Sequence, residues 1–277
     1  MVLAGCVLRK KQTEPSIPRM GLRQNSNLFY LTIAMPCSCW YKGNPTSHPN
    51  YIKERYKVLM RIFLDTADTE VIKKHFATGL IDGVTTNPTL IMKSGRDPEE
   101  VYQELADLGI LDISMEVVGT CDEMVAEGKR LAKKFPEVAT IKVPCTPDGL
   151  LACALLSRDA IRVNVTLIFD AAQAILAAKA GARYVSPFVG RLDDNSVNGL
   201  DVIKEISEIY QTHWIKTEIL SASIRGVKAV STSFALGAQV CTIPPGVFEK
   251  MYNHVLTDKG LQLFDHDYQE TLKLLEK

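Results

Sequence analysis

No stretch of about 18 uninterrupted apolar residues occurs in this chain, so no transmembrane helix is expected. Net charge is also missing: 32 Lys and Arg balance 32 Asp and Glu. That balance removes any global electrostatic reason to expect nucleic acid or an anionic membrane as a partner. No G-x-G-x-x-G follows the first strand-like run, which weakens a dinucleotide-binding reading. Cysteines are few and odd in number, at 7. Cys37 and Cys39 form a C-x-C with no second pair at zinc-ligand spacing, and Cys121, Cys145, Cys153 and Cys241 lie singly in apolar patterns. They read as core thiols of a reducing compartment, and neither disulfides nor a metal site is expected.

The overall neutrality hides an asymmetry. Residues 1–59 carry nine Lys and Arg against Glu14 and Glu54, a net of +7, which leaves −7 for the remainder. This stretch is rich in Pro, Ser and Asn, shows no sustained period of 3.6 or 2, and breaks its one apolar run at Pro36 and Ser38. Three readings stay open: an organellar presequence, a flexible extension, or a true start at Met60, immediately before the first strand pattern. Fold reasoning therefore begins at Met60, and residues 60–277 form the expected folded domain.

From there, short β-branched runs alternate with amphipathic helical patterns. "RIFLDT" precedes "DTEVIKKHFATGL", "GVTTN" precedes "DPEEVYQELADLG", and "DISMEVV" precedes "TCDEMVAEGKRLAKKF". The alternation continues through "VATIKVP", "RVNVTLIF", "RYVSPFV", "KTEILSAS" and "QVCTIP", each followed by a helical segment, and a last helix is expected from about Asp258 to the end. Eight such units favour a closed (β/α)8 TIM barrel, an α/β fold, with an extra C-terminal helix; an open doubly wound sheet is the competing topology.

Barrels of this kind keep their chemistry at the C-terminal ends of the strands. Those ends offer Asp65 on the first strand, Thr86 and Asn87 on the second, Glu116 on the third and Lys142 on the fourth. The fifth brings Asn164 and Thr166, the sixth Ser186, Phe188 and then Arg191, and the seventh Ser221, Ser223 and Arg225. Each has an ordinary alternative: Asp65 or Asn87 as a helix cap, Ser186 as a turn former, Arg191 with Asp193 and Asp194 as a solvated cluster. Those ordinary readings would have to recur at the same end of seven strands.

Lys142 poses the sharpest question, because "VATIKVP" sets it in an apolar strand. Burying an unpaired ammonium is expensive, so the side chain either snorkels to solvent or is held as an amine able to attack a carbonyl. Schiff-base chemistry is the natural use of the second option. Asp65, Glu116 and Thr166 suit the proton transfers that an imine requires. Arg191 and Arg225 would clamp a phosphate, assisted by Ser223.

The motifs "FLDTA", "GVTTNPTLI", "IKVPCTPDGL", "NVTLIF", "YVSPFVGRLDD" and "LSASIR", in this order from Met60 to the C-terminus, resemble those of the transaldolase family, particularly its short-chain branch, which includes fructose-6-phosphate aldolases. The resemblance implies a Schiff base on Lys142, with Asp65 as acid/base at the sugar C4 hydroxyl and Glu116 with Thr166 positioning a proton-relaying water. It implies that Asn87 and Asn164 hold the dihydroxyacetone unit, that Ser186 lines the pocket, and that Arg191, Ser223 and Arg225 bind phosphate. Similar aldolases carry Gln at the position of Glu116, Tyr at that of Phe188 and an apolar residue at that of Asn164. The implied activity is therefore transaldolase, transferring dihydroxyacetone between sugar phosphates of the pentose phosphate pathway. A fructose-6-phosphate aldolase and a non-catalytic phosphosugar-binding barrel are the alternatives. No metal or organic cofactor is implied, since the iminium is itself the electron sink. A cytoplasmic location is expected unless residues 1–59 direct import, and the resemblance implies a homo-oligomer, with decamers found in this branch.

Overall fold

The computed structural model describes residues 60–275, and the N-terminal extension expected at residues 1–59 lies outside the described residues. Eight parallel strands close into a barrel in the order β1 to β8, each paired with its sequence neighbours and β8 returning to β1. The strands are β1 Arg61–Asp65, β2 Gly83–Thr85, β3 Ile113–Glu116, β4 Ala139–Pro144, β5 Val163–Ile168, β6 Tyr184–Pro187, β7 Glu218–Ser221 and β8 Val240–Ile243. Closure settles the topology that strand counting left open, and the open-sheet alternative falls.

The covering helices are α1 Thr69–Phe76, α2 Pro88–Ser94, α3 Pro98–Asp107, α4 Cys121–Lys134, α5 Pro147–Arg158 and α6 Ala171–Lys179. They continue with α7 Val189–Asp193, α8 Gly199–Thr212, α9 Val227–Ala235, α10 Pro245–Lys250 and α11 Val255–Leu275. Most begin where the sequence places a side-chain acceptor for the first free N–H groups. Asp68, Asn87, Asp97, Thr146 and Asp170 cap α1, α2, α3, α5 and α6, and Thr120 with Glu123 makes a reciprocal capping box at α4. Pro88, Pro98 and Pro147 follow their caps, where a missing N–H costs nothing. The helix start weighed at Asn87 proves to be a separate short helix, α2, ahead of α3, and the five-residue α7 was not foreseen, being too short to show a helical period.

Period-two alternation divides each strand between two cores. Outward residues such as Ile113, Met115, Ile141, Val143, Val163 and Val165 are fully buried against the helices. Each contributes about 1.5–3 kcal/mol by leaving water. Inward residues Phe63, Tyr184, Leu220, Ala222 and Val240 form a second apolar cluster inside the barrel. Gly83 is required there, because a Cβ would lie 2.7 Å from the Phe63 ring.

Beneath that plug, polar groups close the N-terminal end. Tyr184 Oη accepts from Arg61 at 2.7 Å and donates to Asp112 at 2.8 Å, while Thr140 donates to the other Asp112 oxygen at 2.8 Å. Arg61 also pairs with Glu218. With these groups paired to one another, the network closes that end of the barrel interior.

Candidate active site

Strand register sets Glu116, Lys142 and Asn164 side by side across β3, β4 and β5, in the inward-facing row at the C-terminal end. Lys142 does not snorkel: the residue is only 5% exposed. Its Nζ lies 2.9 Å from Glu116 Oε2 and donates to the Thr86 carbonyl at 3.2 Å. The ammonium that looked unpaired in the sequence thus has a carboxylate partner on the neighbouring strand. That carboxylate is placed to take the proton the lysine must surrender before it can act as a nucleophile.

Asp65, at the end of β1, is held by Thr85, whose hydroxyl donates to Asp65 Oδ1 at 2.9 Å. Thr85 in turn lies 2.5 Å from Thr242 Oγ1 on β8, making a buried chain of three groups. Burial raises the Asp65 carboxyl above its ordinary range, against the opposing pull of Lys142 and the Thr85 hydrogen bond. Such a group can both hold and give up a proton.

Asn164 is fully buried; it donates to Ser114 at 3.3 Å and accepts from Ser186 at 2.6 Å. Thr166, also buried, has a hydroxyl with no hydrogen-bond partner among the described residues. It precedes a bulge in β5, where register shifts between Val165 and Ile168 and Leu167 takes a left-handed φ of 59°. Asn87 does cap α2, accepting from Leu90 N–H at 2.9 Å. The cap uses only its Oδ1, and Nδ2 takes no partner among the described residues.

The two arginines lie on the opposite side of the mouth, beyond β6 and β7. Arg191 sits on α7 with its guanidinium 5.6 Å from the Phe188 ring centroid, and Phe188 meets Phe169 edge to face at 5.9 Å. Arg225 is exposed and paired with Asp194 at 2.7 Å. Ser223 adopts a left-handed φ of 57°, and its carbonyl accepts from Gly190 N–H at 3.0 Å. A Cβ on Gly190 would stand 2.0 Å from that oxygen and 2.8 Å from Arg225 Cγ. Glycine is therefore what lets α7, carrying Arg191, approach the Ser223–Arg225 loop.

Two rim candidates face elsewhere. Ser221 turns outward to Ser233 of α9 at 2.9 Å. Thr86 directs its hydroxyl outward to the Ser114 carbonyl at 2.9 Å, and Tyr102 Oη lies 3.4 Å away; only its carbonyl faces the mouth. Its neighbour Thr85 holds the inward position, since adjacent strand residues alternate faces. Thr85, Thr242, Ser114 and Gly190 were missed. For Ser114 a signal existed, because it stands two residues before Glu116 and so shares its face.

Comparison with known proteins came to the same kind of molecule. Residues 62–277 match the family model described as transaldolase/fructose-6-phosphate aldolase. A probable transaldolase of Caulobacter vibrioides (strain NA1000 / CB15N) is 53% identical over 213 residues, covering 76% of this chain and 98% of that protein. One of Paracoccus denitrificans (strain Pd 1222) is 51% identical with the same coverage. Among solved structures, a mandelate oxidase aligns with TM-score 0.50 at 16% identity, over 68% of this chain and 65% of that one, a likeness of fold alone.

Proposed function

Because the chain belongs to the transaldolase/fructose-6-phosphate aldolase family, we propose that it transfers a dihydroxyacetone unit between sugar phosphates through a Schiff base on Lys142. Sedoheptulose 7-phosphate and glyceraldehyde 3-phosphate would become erythrose 4-phosphate and fructose 6-phosphate, a step of the pentose phosphate pathway. The observation that carries this reading is the buried Lys142 amine held 2.9 Å from Glu116 in a mouth ringed by Asp65, Asn164 and Thr166.

Lys142 passes a proton to Glu116 and attacks the C2 ketone; the carbinolamine loses water to give the iminium. Asp65 removes the C4 hydroxyl proton, the C3–C4 bond breaks into the iminium, and an aldose phosphate leaves. The enamine adds to the acceptor aldehyde, Asp65 returns the proton, and hydrolysis frees the new ketose. Thr166 and Glu116 hold the water of the first and last steps, Asn87 and Asn164 bind the dihydroxyacetone hydroxyls, and Ser186 fixes Asn164 while lining the pocket. Arg191, Arg225 and Ser223 bind phosphate, with Arg225 exchanging Asp194 for the ligand. The iminium supplies the electron sink, so the mechanism calls on no metal or organic cofactor.

Transfer is favoured over release by Phe188, which has no hydroxyl to protonate the enamine, and by Glu116. The printed names of the bacterial relatives, probable transaldolase, support the same choice. Matching 98% of the Caulobacter protein with 76% of this chain supports placing the whole catalytic unit in residues 60–277. None of the described residues forms a helix long and apolar enough to cross a membrane, and we assign the enzyme to the cytoplasm unless residues 1–59 direct import. Helix α11 has no buried residue and exposes Leu261, Phe264 and Tyr268, which supports a homo-oligomer, decameric as in the short-chain branch, with α11 packed on a neighbour.

Intact-mass spectrometry after incubation with fructose 6-phosphate and borohydride tests the assignment. A three-carbon adduct on Lys142 that erythrose 4-phosphate discharges is the expected result. Release of free dihydroxyacetone without acceptor would make the protein an aldolase, and folded protein with no adduct would remove the Schiff base.

A further inference from the structure

A cavity of 420 Å³ opens between α2, α3 and α4, lined by Asn87, Ile91, Tyr102, Glu116 and Leu131. It lies on the β2–β3 side of the barrel, four strands away from the β6–β7 arginines and therefore across the mouth from them. One of its lining residues, Glu116, touches Lys142 directly, and a second, Tyr102, reaches it through Thr86. Glu116 is 2.9 Å from the lysine Nζ, and Tyr102 Oη lies 3.4 Å from the hydroxyl of Thr86, whose carbonyl accepts from that same Nζ. At the outer lip Arg130 ties α4 to α3 through Glu99 at 2.6 Å and is held by Glu127 at 2.7 Å.

The Schiff-base reading creates a traffic problem that this cavity answers. A sugar phosphate anchored by Arg191 and Arg225 and bonded to Lys142 spans the mouth. Water must nevertheless leave when the carbinolamine dehydrates and enter again for hydrolysis. We propose that the α2–α3–α4 cavity is the water passage to Lys142, with Glu116 as its inner gatepost, separate from the entrance the sugar uses. In the forward step the carbinolamine C2–O bond breaks, Glu116 delivers a proton to the departing hydroxyl, and the nitrogen lone pair forms C2=N. The water so formed exits past Tyr102 and Ile91, and hydrolysis is the reverse. The cavity far exceeds the roughly 10–15 Å³ that one water needs, and its wall supplies polar partners along the path.

This inference rests on the Schiff-base reading, and one experiment separates the two. Exchange of the fructose 6-phosphate C2 oxygen with ¹⁸O-labelled water is followed by mass spectrometry, corrected for exchange without enzyme. The wild type is compared with Ile91→Trp, which fills the cavity, and with Met92→Trp at its exposed outer lip, where folding is least at risk. Borohydride-trapped adduct and fructose 6-phosphate binding are measured on each. The filled variants are expected to exchange at least tenfold more slowly, with equilibrium adduct and sugar affinity within twofold of wild type. Exchange at the wild-type rate in folded Ile91→Trp and Met92→Trp, with adduct still trapped, overturns the passage and leaves the Schiff base standing. Absence of adduct in the wild type overturns both.

Discussion

The Lys142–Glu116 pair is expected to trade stability for chemistry, and the trade can be measured. Both side chains are withdrawn from water, at 7% and 14% exposure. Replacing Lys142 by Met leaves the Glu116 carboxylate without its cation in a largely dry barrel. Breaking a buried pair from one side costs about 3–5 kcal/mol. Glu116 keeps some solvent, so the lower value of about 2–3 kcal/mol is expected here, a fall in Tm of about 4–12 °C for a domain of this size. Replacing both, Lys142→Met with Glu116→Gln, removes two desolvated charges together and should restore stability to the wild-type level or about 1 kcal/mol above it. Urea denaturation followed by circular dichroism on the wild type, both single variants and the double variant gives the coupling energy. All three variants should lose transfer activity. A coupling below about 0.5 kcal/mol, the ordinary scatter of additivity, would mean that the pair does not hold the lysine, and the argument from its burial would fail.

Four further outcomes follow from the same geometry. Burial is the main cause that holds the Asp65 carboxyl above its ordinary range, so its contribution to stability is present below the unfolded-state pKa and is lost as pH rises through the folded one. Asp65→Asn should thus be more stable than wild type near neutral pH, the gap closing on acidification; a constant gap across a pH series of melts would refute this. Gly190→Ala, whose Cβ would stand 2.0 Å from the Ser223 carbonyl, should cost about 2–4 kcal/mol by overpacking and loss of a hydrogen bond. It should also raise KM for fructose 6-phosphate more than for fructose. Arg225→Ala removes an exposed ion pair, so stability should change by less than about 1 kcal/mol, while binding of phosphorylated sugar weakens about 10–100-fold, as befits a lost charge-assisted bond; equal losses with a dephosphorylated sugar would dissolve the clamp. Phe188→Tyr should increase free dihydroxyacetone from fructose 6-phosphate, and an unchanged ratio of release to transfer would count against the reading of that position.

Much of the site could be read from residue types alone because barrel chemistry is confined to strand ends. Asp65, Glu116, Lys142, Asn164 and Thr166 stand on the patterns of β1, β3, β4 and β5, at inward-facing positions of the barrel. Misplacements came where a single residue step matters. Between Thr85 and Thr86 composition offers no choice, yet one holds Asp65 and the other packs toward Tyr102. Helix α7 was hidden because five residues cannot display a period, although it carries Arg191.

The sequence by itself determined the eightfold alternation, the parallel barrel it demands, and the chemical vocabulary of the rim. These depend on local patterning, which a linear chain carries in full. Tertiary structure alone decided which groups meet: that Lys142 is paired with Glu116 and Asp65 with Thr85, that Arg225 borrows Asp194, and that Arg61, Tyr184 and Asp112 seal the far end. Partners from 20 to 123 residues apart are brought together by strand register and barrel closure, and register is a property of the folded pairing, which no single strand contains.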